Sequence, residues 1–336
     1  MKDTSEIKRS NQQLVRRTLH TLGQGTKLDV SNASGLSVAT CNTILNQLEA
    51  DGAVYTRDIR SPQVGRKAKV YTLNYNYRYY LCMYFTISGN DQHICWSVVN
   101  MAGATVEEEK KQYEQITLDL ITSHIKDLTD RFPSICCISL GIPGFAKDGH
   151  ILHCDITSLT GVSITSCLEN IFQIPVSVEN DLHMMTYGCY QTEYVKQTDP
   201  SGHILAMMLF QKHICPGAGV VAGGKILKGM SNFSGEISFL PYDESRKQQE
   251  QAMTEELYLP WAAKAAAAVI TVLNPSIIVL TGSITKEADC RSLKELCRKY
   301  IPEEHLPEFV YVKNHHQYYV YGLFSMAREL SERKEV

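Results

Sequence analysis

Residues 176–185 read VSVENDLHMM, a short apolar run from Val176 to Val178 that ends in Glu179-Asn180-Asp181 before a helical pattern begins. An acid-amide-acid step at the end of a strand is where sugar-handling enzymes place groups that grip hydroxyls and remove a proton. Three roles are open to Asp181 at this point: catalytic base, ligand anchor, or strand-end residue that caps the next helix.

Working outward, strands and helices alternate on both sides of that stretch. "SICCISLGIPGF" reads as a buried strand that ends in a glycine turn, and helical periodicity covers 116–131 and about 164–172. Downstream come "HILAMMLF", "VVAGGKIL", an Ala-rich helix over 255–273, the strand "SIIVLTG" and a terminal helix over 319–332. This order implies an α/β body in two lobes, with no internal repeat in the sequence itself.

At 336 residues the chain suits two or three domains. A content of 44% hydrophobic and 21% charged residues supports an ordinary soluble core. No run of eighteen apolar residues occurs, so no membrane span is expected, and "MKDTSEIKRSNQQ" lacks the apolar stretch of a secretory signal. Eleven cysteines without a CxxC pair fit free thiols in a reducing cytoplasm. Charge is split: residues 1–76 carry eleven Lys/Arg against six Asp/Glu, a net of +5, and the remainder nets −8. Only the first part is suited to a polyanion.

That first part has its own pattern. Leu14, Val15, Leu19 and Leu22 recur at helical spacing, Gly23-Gln24-Gly25 stops the helix, and Thr26 can cap a second over about 27–34. After the "SGLS" turn, Ser37 caps a third helix whose Cys41, Ile44, Leu45 and Leu48 face the core. Ser37, Thr40, Asn42, Thr43 and Gln47 are candidate contacts to base edges and phosphates on its outer side, which also carries Ala39 and Asn46. Two β-rich runs, 53–59 and 69–73, then flank a basic loop in which Arg57, Arg60, Arg66, Lys67 and Lys69 fall within thirteen residues. Helix, helix, turn, helix and basic hairpin describe a winged helix-turn-helix, with a generic three-helix domain as the alternative.

With "GIPG", "VENDLH", "GKILKG", "SGEIS" and "NPSIIVLTG" behind such a reader, nearly the whole chain resembles the ROK family of repressors and sugar kinases. "GRKAKVYTLN" is similar to the family's wing. The resemblance implies a winged helix-turn-helix over 1–76 and a two-lobed, actin-like ATPase (ribonuclease H-like) body. Lobe 1 is expected over 77–182 and lobe 2 over 183–336, with the C-terminal helix returning to lobe 1.

Departures from the family pattern bear on activity. The kinase Asp-x-Gly-x-Thr turn corresponds to "FTISGNDQ", with Thr86 in place of the acid. The glycine-rich phosphate loop corresponds to "HICPGAG", where only Gly217 and Gly219 survive and Pro216 removes a donor. Ser238 and Phe239 stand where the family's zinc loop has Gly-His. No kinase activity, cofactor or metal is therefore expected.

The hydroxyl-binding positions remain. Asn180, Asp181 and Glu236 match the family's hexose contacts, with His183 where Asn is usual and Ser158 near another sugar-contacting Asn. A sugar or sugar derivative is the expected effector, with Asp181 as anchor; no ligand, with Asp181 closing the strand, is the alternative. "GHILHCD" gathers His150, His153, Cys154 and Asp155, a metal-capable set whose members a strand would turn in different directions. His315-His316 reads as a surface pair, the tyrosines of 71–84 as junction packing, and the Ala-rich helix as a tight packing element suited to a subunit interface. The whole implies a cytoplasmic regulator of carbohydrate-use genes on double-stranded operator DNA, as a homodimer or homotetramer.

Overall fold

The structure, a computed structural model, describes residues 4–60, 67–89, 91–195 and 203–334. It begins with α1 (Thr4–Leu22), β1 (Gly25–Thr26), α2 (Lys27–Ser34), α3 (Val38–Ala50), β2 (Val54–Arg60) and β3 (Lys67–Leu73). Gly23, at φ +71°, ends α1. Thr26 and Asp29 then form a reciprocal capping box for α2. The three strands pair in the order β1-β3-β2. Short β1, where the pattern predicts a helix stop and the Thr26 cap rather than a strand, lies against Tyr71 and Val70. Val15, Leu19, Val30, Leu45, Leu48 and Tyr71 form a separate apolar core for this N-terminal unit.

The body contains two five-stranded sheets. The first comprises β4 (Tyr79–Ser88), β5 (Asp91–Asn100), β6 (Thr105–Tyr113), β7 (Ile135–Ile142) and β10 (Val176–Asn180), in the order β10-β7-β4-β5-β6. Its interspersed elements are α4 (Leu118–Arg131), the hairpin β8 (Gly144–Lys147) and β9 (His150–Cys154), and α5 (Ile164–Phe172); α6 (Asp181–Cys189) follows.

The second sheet comprises β11 (Ile204–Leu209), β12 (Gly217–Ala222), β13 (Lys225–Ile226), β14 (Ile277–Thr281) and β15 (Glu308–Tyr311), in the order β13-β12-β11-β14-β15. It is accompanied by α7 (Arg246–Ala252), α8 (Tyr258–Leu273), α9 (Glu287–Cys297) and α10 (His316–Lys334). Each sheet thus has three antiparallel strands followed by two parallel ones, in the same relative order. The halves are topological duplicates, which the sequence does not display as a repeat.

Strand alternation builds the layers. Tyr80, Cys82 and Tyr84 of β4 face inward toward α6 and α10, and Leu81, Met83 and Phe85 face α4 and α5. Met207 and Val279 line the same inner layer from the second sheet, whose outer face is covered by α8 and α9. Ala262, Ala263, Ala265, Ala266 and Ala267 of α8 are buried within this chain against its second sheet.

At the centre α6 and α10 touch backbone to backbone. A Cβ on Gly188 would lie 1.8 Å from the Tyr318 carbonyl oxygen, and one on Gly322 would lie 2.0 Å from that of Met184. His315 and His316 are not a surface pair: they sit at the start of α10. His316 bonds Tyr84 Oη at 2.7 Å and Glu108 at 3.2 Å, and His315 lies 3.2 Å from Thr281 Oγ1.

The junction tyrosines pack as their position suggested. His20 bonds Tyr75 Oη at 3.0 Å, Arg16 lies over the Tyr77 ring, and Arg17 pairs with Glu332 of α10 at 2.9 Å.

Candidate functional site

Glu179 and Asn180 end β10, and Asp181 opens α6 directly after them. Asn180 caps α6: its Oδ1 accepts from the His183 amide at 3.0 Å, and its Nδ2 donates to the Gly144 carbonyl at 2.8 Å. Both ends of that amide are engaged by backbone. Asp181 opens the helix, and its Oδ1 accepts from the Leu182 amide at 2.8 Å.

Burial pushes the Asp181 carboxyl up to about 7, against the opposing Leu182 hydrogen bond, with repulsion from Asp155 and Glu236 adding to it. Asp155 and Glu236 are themselves raised, chiefly by burial, while Arg246 restrains both. Asp155, Asp181 and Glu236 are therefore within electrostatic reach of one another, and Arg246 and His153 lie near enough to lower both Asp155 and Glu236. Such a set can accept several hydroxyl protons at once, and a half-protonated carboxyl can also donate.

His183 lies elsewhere in the network. Only 2% exposed, its Nδ1 sits 3.2 Å from Glu179 Oε1, and the other Glu179 oxygen accepts from Lys228. Burial raises the Glu179 carboxyl, but the His183 hydrogen bond and the Lys228 charge outweigh it and leave the group below its usual range. Lys228 belongs to the segment after β13, and Asn232 in the same segment donates to the Ala146 carbonyl. Ser158 is not brought to the carboxyls by any contact; its hydroxyl donates to the Ile116 carbonyl and pins the approach to α4.

Sequence reasoning missed Glu179 and Lys228 as a pair, and Arg246 and Asp155 as cleft members. Asp155 does carry a signal, in "GHILHCD", a metal-capable set whose members a strand turns apart, which points to no sugar site. There His150 bonds Ser163 at 3.0 Å, His153 stacks on Phe145, and Cys154 is buried. Among the described residues no three such groups converge on a metal position.

On the N-terminal unit, Ser37 accepts from the Thr40 amide at 3.1 Å, and their hydroxyls lie 2.8 Å apart. Thr43 donates to the Ala39 carbonyl, and Gln47 is exposed. Asn42 accepts from Lys27, a residue absent from the sequence-based set. In the hairpin, Arg57 donates to Gln24 at 2.9 Å and Lys69 grips both Glu49 oxygens at 2.6 and 2.8 Å. Arg60 and Lys67 are paired positions of β2 and β3. Arg66 lies outside the described residues.

A sequence model described as the ROK family matches residues 85–252, half of the chain. An uncharacterized Clostridium perfringens protein is 28% identical over 155 residues, covering 44% of this chain and 50% of that protein. The xylose repressor of Caldicellulosiruptor bescii is 22% identical over 245 residues, covering 69% and 58%. That of Bacillus subtilis is 21% identical over 250 residues, covering 72% and 62%. The matched parts thus span about half to three-fifths of these relatives' lengths.

Among solved structures, a ROK family transcriptional regulator described as a homolog of E. coli Mlc superposes with a TM-score of 0.71 at 15% identity, over 98% of both chains. A ROK hexokinase from Thermus thermophilus superposes with a TM-score of 0.60 at 15% identity, over 75% of this chain and 98% of its own. At these identities the superpositions speak to fold. The matched sequence model together with the duplicated sheets places this chain in the ROK family.

Proposed function

We propose that the chain is a DNA-binding transcriptional regulator, a repressor of carbohydrate-use genes acting in the cytoplasm. In this reading residues 1–76 form a winged helix-turn-helix, and a sugar or sugar derivative between lobes 77–182 and 183–336 tunes it. The observation that carries the reading is coverage. The regulator is matched end to end, whereas the hexokinase is matched by three quarters of this chain, and the remainder is about the length of the N-terminal unit. The repressor names of the sequence relatives point the same way.

Local geometry supports a body without phosphoryl transfer. Gly217 and Gly219, the survivors of the phosphate loop, lie inside β12. A Cβ on Gly219 would fall 2.1 Å from Thr186 Oγ1, and one on Gly217 would fall 2.6 Å from a Leu182 methyl. Their smallness is accounted for by the approach of α6. In the proposed mechanism a dimer holds two α3 helices about one DNA turn apart, roughly 34–36 Å. A cleft ligand changes that spacing only through its differential affinity for the two lobe arrangements.

The test is fluorescence anisotropy of the full chain on a labelled duplex pool across a salt series. Affinity that falls steeply with salt is expected; absence of binding at low salt sinks the reading. The competing reading, a sugar kinase with an accessory module, draws on Asp181, whose carboxyl near 7 is suited to a general base. Coupled ADP release over a sugar panel separates the two: turnover of about 1 per second that vanishes in Asp181→Asn establishes the kinase.

A further inference from the structure

Lys27, the first residue of α2, joins the two helices of the candidate reading motif. Its ammonium lies 5.8 Å from the centroid of the buried Tyr71 ring and donates to Asn42 Oδ1 and, at 3.2 Å, to Asn46 Oδ1. An ammonium has donors only, so only the oxygen of each carboxamide can face it. Asn46 Nδ2 also approaches Asn42 Oδ1, at 3.5 Å. The Asn42 oxygen is thereby occupied twice, and the free hydrogen-bonding capacity of Asn42 is its NH2 group.

We propose that Lys27 is a positioning residue that turns the α3 surface into a donor face and so sets which bases it accepts; this rests on the DNA-binding reading above. Asparagine pairs with adenine in the major groove in bidentate fashion, donating to N7 while accepting from N6. With its oxygen held by Lys27, Asn42 cannot accept from N6. It can donate to guanine N7 and O6 or to thymine O4; adenine keeps a single bond, at N7, beside an N6 donor left without an acceptor, and cytosine, whose major-groove edge offers a donor, is refused. Val38, 48% exposed one turn earlier, and exposed Ala39 add apolar surface suited to the thymine methyl. The selected edges are the keto bases.

The experiment is enrichment from a randomised duplex pool at fixed salt, using the full chain as wild type, Lys27→Met, Lys27→Arg and Asn42→Asp. Methionine keeps the apolar stem over Tyr71 and removes the donors. The wild type should enrich guanine and thymine opposite α3. Lys27→Met should move at least one of those positions toward adenine by about tenfold, the scale of one bidentate pair. Lys27→Arg should retain the wild-type preference. Asn42→Asp, acceptor-only and paired with Lys27, should shift that position toward cytosine, and it serves as the second readout where Lys27→Met unfolds.

Unchanged base preference in a folded Lys27→Met, with or without a uniform loss of affinity, overturns the proposal; where Lys27→Met unfolds, unchanged preference in Asn42→Asp does so. A wild type that binds duplexes without base preference overturns it too, and leaves the DNA-binding reading standing. A wild type that binds no duplex removes that reading and the role of Lys27 with it.

Discussion

The ammonium of Lys228, carried by the segment after β13, ends on the buried carboxylate of Glu179 at the tip of β10. One residue belongs to the second sheet's side of the cleft and the other to the first. Glu179 is only 6% exposed; its Oε1 accepts from the Asn180 amide at 3.0 Å and lies 3.2 Å from His183 Nδ1. The contact is therefore a tie between halves as well as a means of keeping a buried charge ionised.

Lys228→Met should destabilise the protein. Stripping the partner from a buried charge costs about 3–5 kcal/mol, and solvent screening of the 39%-exposed Lys228 side chain lowers that to about 1–2 kcal/mol. Because the folded value of Glu179 is depressed, its contribution is present above the ordinary value of 4.5 and is lost as pH falls through the folded value. Denaturant melts at pH 7 and pH 3.5 check this: the gap between wild type and variant should shrink at the lower pH. An equal gap at both assigns the loss to packing alone.

Asp181→Asn should have the opposite sign. A carboxyl raised from 3.8 to about 7 holds its proton more tightly folded than unfolded, so its presence costs stability progressively as pH rises through that interval. The variant should be more stable than wild type at pH 8, by on the order of 2–4 kcal/mol, and nearly equal to it at pH 4. Urea midpoints at the two pH values read this out, and a variant weaker than wild type at pH 8 contradicts the electrostatic account.

Asn180→Ala should lower stability by about 1 kcal/mol through loss of the α6 cap, and Asn180→Ser should restore most of it. If the cleft binds a saccharide as proposed, a sugar at one hundred times its dissociation constant stabilises the wild type by about 2.7 kcal/mol. That shift should vanish in Asn180→Ala. A full shift in the alanine variant would confine Asn180 to capping.

Arg66→Ala should weaken binding to all duplexes alike and reduce the salt slope by roughly one. Anisotropy titrations at four salt concentrations suffice. An unchanged slope removes Arg66 from the phosphate contacts.

Much of the N-terminal unit was legible because its signals are local: the Thr26 and Ser37 caps and the stripe Cys41, Ile44, Leu45, Leu48 need no tertiary knowledge. The strands were legible by alternation, as in β4. The duplication of the two sheets was not, since strand order leaves no periodicity in the chain. The cleft was half legible. Asp181 and Glu236 stood in recognisable motifs, but Arg246 and Asp155 join them only through folding, and Lys228 reaches Glu179 across 49 positions. Lys27 escaped notice because one lysine in a helix's first turn reads as solvated until its two asparagine partners, 15 and 19 positions away, are seen.

The helix packed on the inner face of the first sheet, α10, follows every strand of the second in chain order. During synthesis, Tyr80, Cys82 and Tyr84 must therefore wait without their α10 cover until the ribosome has delivered more than two hundred further residues, roughly ten to forty seconds at ordinary elongation rates. Over that interval the nascent first half is a client for chaperones, and a chain that stalls before Tyr319 should partition into aggregates.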